Sequence, residues 1–404
     1  MRLSSIAEQD ALIYLERYVD EATRTYSAFS IRNEAGPRYR PQSDQPGFNL
    51  VAVWVPADQV QIVESDPDRR LKRFYVKDDQ VRFVIHPETW AALDVPFMNR
   101  LQPLPQAARI EAAPTASTRT VWPRGSDAVP PHFLKLHYPK YVSRFKRTLR
   151  RLNIHNSVAI TQEMKSIHHP RFAFFPEVLG LVFGEGPDGW GLIVREAAPQ
   201  PPSENRWLVP CFALFGGDMK HPAHPALITQ MIDRTGEQPE SFILNRIMIP
   251  VIECWAKAAR ERGILLESHA QNTLLELDSD FTPQRIVHRD FDVWIDLEAR
   301  QRLGLDAPFL GHGISDYPAE QYYSVVYDRF IGRAFFEYLL TAVVRRFPEV
   351  DARRVRQQVC DAFHSAFPEA GAFFPAKTTY YFADDLRPDG KYYFVDTGEP
   401  PVWR

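Results

Sequence analysis

Apolar residues recur at helical spacing near the start of the chain. Ala7, Ala11, Leu12, Leu15 and Val19 fall near one face and predict a helix over residues 7–28. From Asn33 to Phe48 the sequence is rich in Pro, Gly, Asp and Arg and predicts a loop. The pattern then shortens to β-branched runs, Leu50 to Val55, Val60 to Val63 and Val81 to His86, which predict strands. Pro103 to Pro130 has no long apolar run and reads as a functional loop or a connection. Val178 to Glu196 predicts a hairpin turning at Pro187-Asp188-Gly189. Helical spacing returns over Pro225 to Arg262, with Gly263 as its C-cap. ILLESHAQNTLLEL and RIVHRDFDVWIDL read as two strands with polar residues near their ends. Tyr322 to Phe347 and Asp351 to Phe367 are again helical, and a strand pair closes the chain around Arg387-Pro388-Asp389-Gly390. No repeat is visible, and the mixture predicts an α+β chain.

Length and composition narrow the class. At 404 residues the chain has room for two or three domain-sized cores, or one elaborate one. A net charge of −3 provides no general attraction for nucleic acid or for an anionic membrane. No stretch approaches 18 uninterrupted apolar residues, and the first 26 residues carry acidic groups where a signal peptide would need an apolar core. Cys211, Cys254 and Cys360 are far apart and form no CxxC pair, which argues against structural zinc and fits a reducing compartment. The expectation is a soluble cytoplasmic protein. Of 48 basic side chains 38 are Arg, a type suited to carboxylate and phosphate but equally a matter of overall composition.

Three segments could carry chemistry. Glu267-Ser-His-Ala-Gln-Asn272 interrupts two apolar runs, and strand alternation would put Glu267, His269 and Gln271 on one face. Arg289-Asp290 follows at the end of the second run. Acid and amide groups on adjacent strands can hold Mg²⁺ through oxygen, or simply form a buried polar network. Ser117-Thr118-Arg119-Thr120 offers hydroxyls and one guanidinium to phosphate oxygens, or is a solvated loop. Lys135, Lys140, Arg144, Lys146, Arg147, Arg150 and Arg151 form a basic stretch with three readings: nucleic-acid contact, a solvated helix face, or Lys135 and Arg147 on a nucleotide triphosphate. There is no GxxxxGK[ST] loop, no GxGxxG after a strand and no GxSxG elbow. His168 and His169, lying before Pro170, read as surface or packing histidines.

Taken in order, these segments resemble the IucA/IucC-like siderophore synthetases that work independently of nonribosomal peptide synthetases. FVIHPETW, from Phe83 to Trp90, is similar to the family's HPWQ segment, and PTASTRTV to its Ser/Arg/Thr phosphate loop. KLHYPKYVSRFKR places Lys135 and Arg147 in the pattern Lys-Leu-x-x-Pro…Arg. RGILLESHAQNTLLEL followed by RIVHRDF is the closest match, and AKTTYYF around Lys377 resembles the C-terminal lysine segment. The resemblance runs from about residue 83 to the end. HPWQ appears here as HPET, and no His-Pro-x-His-Lys motif precedes it.

The resemblance implies a hand-like fold of fingers and palm, with the thumb-like N-terminal lobe reduced or absent. On it the chain divides into a reduced lobe over 1–105, a fingers-like part over 106–180 and a palm-like catalytic part over 181–404. It implies an ATP- and Mg²⁺-dependent ligase that adenylates a citrate-like or other polycarboxylic acid, then joins it to an amine or hydroxyl. Ser117, Thr118, Arg119, Thr120, Lys135 and Arg147 would grip phosphates. Glu267, Asn272 and Asp290 would hold Mg²⁺, with Gln271, His269 and Arg289 beside the nucleotide and Lys377 facing the substrate. Small molecules are then the expected partners, with neither nucleic acid nor membrane; a homodimer is left open. HAQNTLLEL followed by RDFD also resembles the catalytic and metal segments of kinase-like phosphotransferases. A non-catalytic ATP-binding relative of a full-length synthetase is the third alternative.

Overall fold

The computed structural model describes residues 1–8, 10–19, 32–124, 129–143, 145–205, 207–310, 319–382 and 393–404. The strands predicted after residue 48 form, together with the hairpin near residue 190, a single nine-stranded sheet. Its spatial order is Val60–Glu64, Glu177–Phe183, Trp190–Glu196, His132–Leu136, Thr120–Pro123, Ile110–Pro114, Phe48–Pro56, Gln80–Ile85 and Val76–Lys77. Every pairing within it is antiparallel. The predicted hairpin is present, its strands joined through a 3₁₀ turn at Gly186–Asp188. The helix Arg151–Met164 lies on the strand Glu177–Phe183. Gly180 permits that approach, because a Cβ there would stand 2.4 Å from Cγ2 of Ile154. One sheet thus spans residues 48–196, across the divisions expected at 105 and 180.

A smaller sheet follows, in the order Phe172–Phe174, Pro283–His288, Thr273–Leu277, Trp207–Pro210, with only the first pair parallel. Helices pack around it: Leu227–Thr235, Ile249–Arg262 and Ala352–Ala366, with a long π-helical stretch at Val325–Phe336. Gly263 ends its helix at φ +60°, as predicted. Their shared core also takes in the N-terminal Met1, Leu3, Ile6, Ala11, Leu15 and Val19. The chain therefore begins packed against its second half, and the terminal amine pairs with Asp218. Among the described residues no helix is long and apolar enough to cross a membrane.

Several local expectations need correction. The first helix covers only Ala11–Tyr18, because Val19 turns extended to bridge Asp218; residues 20–31 lie outside the described residues. Pro103 to Pro130 is not merely connection, since IEAAP and TVWP pair as adjacent strands of the large sheet. The basic stretch from Lys135 is no helix face. It is the end of one strand and a two-residue hairpin, Tyr141–Val142 with Phe145–Lys146, and helix begins only at Arg151. Ser143 at φ +60° turns that hairpin, while Arg144 is outside the described residues. Glu267 to Asn272 does not continue a strand either, so period-two alternation does not set its side chains. The Ser268 and His269 amides donate to the carbonyls two residues back, at 2.8 Å each, and coil the segment into a loop. The closing strands Thr379–Phe382 and Tyr393–Asp396 pair as predicted, with Arg387 to Gly390 outside the described residues.

Candidate active site

The chemistry gathers where the two sheets meet. Thr115 and Thr120 close a tight hairpin: the Thr115 amide and hydroxyl both donate to the Thr120 carbonyl, at 3.2 and 2.7 Å. Between them Thr118 takes the left-handed conformation, φ +64°, and the Thr120 amide donates to Ser117 Oγ at 3.2 Å. Thr118, Arg119 and Thr120 are buried, and Asn33 Nδ2 donates to the Thr118 hydroxyl at 3.2 Å. The Arg119 guanidinium reaches across to the carbonyls of Arg147 and Thr148, at 3.3 and 3.1 Å, and lies 4.0 Å from Asp292. Arg147 itself donates through Nε to the Val142 carbonyl at 3.0 Å.

Lys135 pairs with Thr120 across the sheet and is fully buried. Its ammonium ion-pairs with Asp290, which follows the strand Pro283–His288 of the other sheet. Asp290 sits at φ +70°, an uncommon conformation for a residue with a side chain. Arg195 stands 3.8 Å from the same carboxylate and donates through Nε to Glu177 at 3.0 Å. Glu177 in turn accepts the amide of Phe291 at 3.4 Å. Burial opposes charge on Asp290, yet Lys135, Arg195 and Arg119 together hold its carboxyl far below the ordinary range.

The Glu267 loop faces this cluster. Burial, with Asp292 and Asp290 close by, pushes the Glu267 carboxyl up to about 8, although Trp294 Nε1 donates to it at 3.1 Å. Burial pushes His269 down to about 4, so its imidazole is neutral at pH 7; Asp290 opposes that shift and Arg289 and Arg147 add to it. Its ring meets Phe330 edge-on, with centroids 5.8 Å apart. Gln271 and Asn272 contribute backbone carbonyls, which accept the Nε and amide of Arg289 at 2.8 and 3.0 Å. Arg289 is buried and also bonds Glu16 at 2.6 Å.

Arg119, Lys135, Arg147, Glu267, His269 and Asp290 therefore share one electrostatic neighbourhood, with Ser117, Thr118 and Thr120 on the hairpin that carries Arg119. Lys377 is exposed, and among the described residues no hydrogen bond or ion pair joins it to the cluster. The His86 ring lies in a cage of Tyr39, Phe48 and Tyr138, and its Nδ1 accepts the Glu88 amide at 3.1 Å. That segment anchors a loop through Glu88, which holds Lys140 and Tyr138.

Sequence reasoning missed Asp292, Glu177, Arg195 and Glu16. Asp292 was visible in RDFD, and Glu177 and Arg195 as charges at the ends of the apolar runs EVLGLVF and GLIVRE, where they prove to be cross-strand partners. No local signal marks Glu16. Among the described residues no three His, Cys, Asp or Glu side chains are grouped closely enough to hold a metal by themselves. Mg²⁺ needs fewer, since it commonly takes one or two carboxylates and completes its shell with phosphate and water. The carboxylates crowding Glu267 are oxygen donors whose mutual repulsion a cation would relieve, so the residues fit a divalent cation.

The IucA/IucC family model matches residues 32–216, which hold the hairpin, Lys135, Arg147, Glu177 and Arg195. The L-2,3-diaminopropanoate–citrate ligase of Staphylococcus aureus is 28% identical over 198 residues, covering 44% of this chain but only about a third (32%) of that relative. Aerobactin synthetase IucC from a hypervirulent pathotype of Klebsiella pneumoniae superposes with a TM-score of 0.65 at 16% identity, over 93% of this chain and 77% of that one. ATP-bound aerobactin synthetase IucA from the same pathotype gives 0.63 at 14% identity, over 98% and 79%. Residues 32–216 thus match the IucA/IucC family model, and nearly the whole chain shares its fold with these solved structures.

Proposed function

We propose that the protein is an ATP-dependent ligase that activates a carboxylate, citrate-like or another polycarboxylic acid, as its acyl-adenylate and condenses it with an amine or hydroxyl. The observation that carries this reading is the meeting of Lys135, Arg119, Arg195 and Arg147 with Asp290, Asp292 and Glu267 at the sheet junction. Cations beside oxygen donors answer the two demands of the reaction: charge neutralisation at the α-phosphate and a grip on the departing pyrophosphate. A relative named as a citrate ligase and a similar fold solved with ATP support it.

In this reading a substrate carboxylate oxygen attacks the α-phosphorus, the α–β anhydride breaks and pyrophosphate leaves. The amine or hydroxyl then attacks the acyl carbon, its proton passes to solvent and AMP departs with the carboxylate oxygen. Ser117, Thr118, Arg119, Thr120, Lys135 and Arg147 grip the phosphates. Glu267, Asn272 and Asp290, with Asp292, hold Mg²⁺, which when bound neutralises phosphate charge. His269, neutral at pH 7, gives or accepts a hydrogen bond beside the nucleotide, and Lys377 faces the substrate from the C-terminal part.

The test is to incubate the protein with ATP, Mg²⁺ and a panel of polycarboxylates and amines, and to resolve AMP from ADP. Carboxylate-dependent AMP and pyrophosphate are expected. ADP would point instead to phosphotransfer, and ATP binding without turnover to a non-catalytic relative.

A further inference from the structure

We infer that Glu16 is a positioning residue, a strap that holds the two walls of the site in register. Its carboxylate is 1% exposed and both oxygens are occupied. One accepts from Arg289 Nη1 at 2.6 Å, the other from the amide of Ala116 at 3.2 Å. Ala116 directly precedes Ser117, and Arg289 directly precedes Asp290. Arg289 extends the tie to a third segment through the carbonyls of Gln271 and Asn272. One carboxylate thereby joins the 115–120 hairpin of the large sheet, the 267–272 loop and the loop that begins at Asp290.

The strap is fixed on its far side as well. The guanidinium of the neighbouring Arg17 donates to the carbonyls of Pro41, Ser43, Gln45 and Pro46, at 2.6 to 3.0 Å. Tyr14 donates to Asp218 at 2.8 Å, and Ala11 and Leu15 are sunk in the second core. The helix Ala11–Tyr18 can therefore bear on both loops without moving. A carboxylate suits the place because Arg289 is buried beside Asp290. Glu16 neutralises Arg289 locally, which leaves the Asp290 charge to Lys135, Arg195 and Arg119. A pair that only stabilised the fold would not need its second oxygen on the amide adjoining Ser117.

The catalytic consequence rests on the ligase reading, whereas the positioning itself does not. Amide hydrogen exchange is measured on the wild type, on Glu16→Gln and on Glu163→Gln, which removes another largely buried pair, with Arg300, that bonds neither loop. In Glu16→Gln the amides of residues 115–120 and 267–272 are expected to exchange at least ~10-fold faster, and in Glu163→Gln at the wild-type rate. Unchanged exchange in Glu16→Gln, or equal acceleration in Glu163→Gln, overturns the inference. Should Glu16→Gln fail to fold, Glu16→Asp keeps the charge but shortens its reach, and the same two loops must loosen. Where the wild type forms AMP, Glu16→Gln should cut kcat/KM for ATP by about 100-fold, the effect of a small misplacement, and Glu163→Gln should leave it unchanged. Wild type that never forms AMP defeats the ligase reading alone; AMP formation with unaltered exchange in Glu16→Gln defeats the strap alone.

Discussion

Replacing Arg195 by Met should separate stability from activity. The Arg195 side chain is 3% exposed and that of Glu177 is 0%, so the change strands a carboxylate whose remaining hydrogen-bond donor, among the described residues, is the Phe291 amide at 3.4 Å. Breaking a buried pair on one side costs roughly 3–5 kcal/mol, read as a lower urea midpoint at pH 7. Arg195 also faces Asp290 at 3.8 Å, an attraction on the order of 4 kcal/mol at an effective dielectric constant near 20. The second step is Arg195→Met with Glu177→Leu. An apolar pair of similar volume fills the space between the strands and should restore the midpoint to within about 1 kcal/mol of wild type. Asp290 still lacks its second cation, so AMP formation should stay about 100-fold down. Wild-type stability in the single variant, or recovery of activity along with stability in the double one, would refute the reasoning.

Lys135→Met and Asp290→Asn each break the ion pair that joins the two sheets, and each should lower AMP formation at least ~1000-fold while circular dichroism still reports a folded chain; near-normal turnover in either would remove that pair from the mechanism. Acid should unfold the protein early. Burial lowers His86 and His288 to about 3 and His132 and His137 to about 4, so between those values and the ordinary 6.5 the unfolded chain binds more protons than the folded one. Each group's contribution is complete above about pH 6.5 and falls by up to ~1.4 kcal/mol per pH unit as pH drops through that window. Thermal melts from pH 7 to pH 4 should show a steep loss, and His132→Asn should flatten it; a level profile would contradict the burial of these rings as neutral groups.

How far the sequence carried this account differs from element to element. The β-branched runs Leu50 to Val55 and Val81 to His86 mark real strands, and Gly263 ended its helix where predicted, because each signal is local. The sheet that unites residues 48–196 was not legible, since its neighbours are set by pairings such as Leu179 with Glu64 and Leu192 with Leu136, far apart in the chain. Glu267, His269 and Asp290 were visible as polar groups between apolar runs, but their mutual placement comes from a loop and a left-handed Asp290, not from strand alternation. The family resemblance sets Arg289 beside the nucleotide, and the fold adds a contact that no local pattern shows. The carboxylate partner of Arg289, Glu16, lies 273 residues away on a helix whose pattern marks only an amphipathic surface.

An acyl-adenylate leaves a trace in where the carboxylate oxygen goes, and isotope labelling follows it. Citrate, or whichever polycarboxylate supports turnover, is labelled with ¹⁸O in its carboxylates and supplied with unlabelled ATP, Mg²⁺ and the amine. The AMP released is then weighed by mass spectrometry. One ¹⁸O per AMP is expected, carried over from the carboxylate that attacked the α-phosphorus. Unlabelled AMP, or label appearing in inorganic phosphate beside ADP, would contradict it.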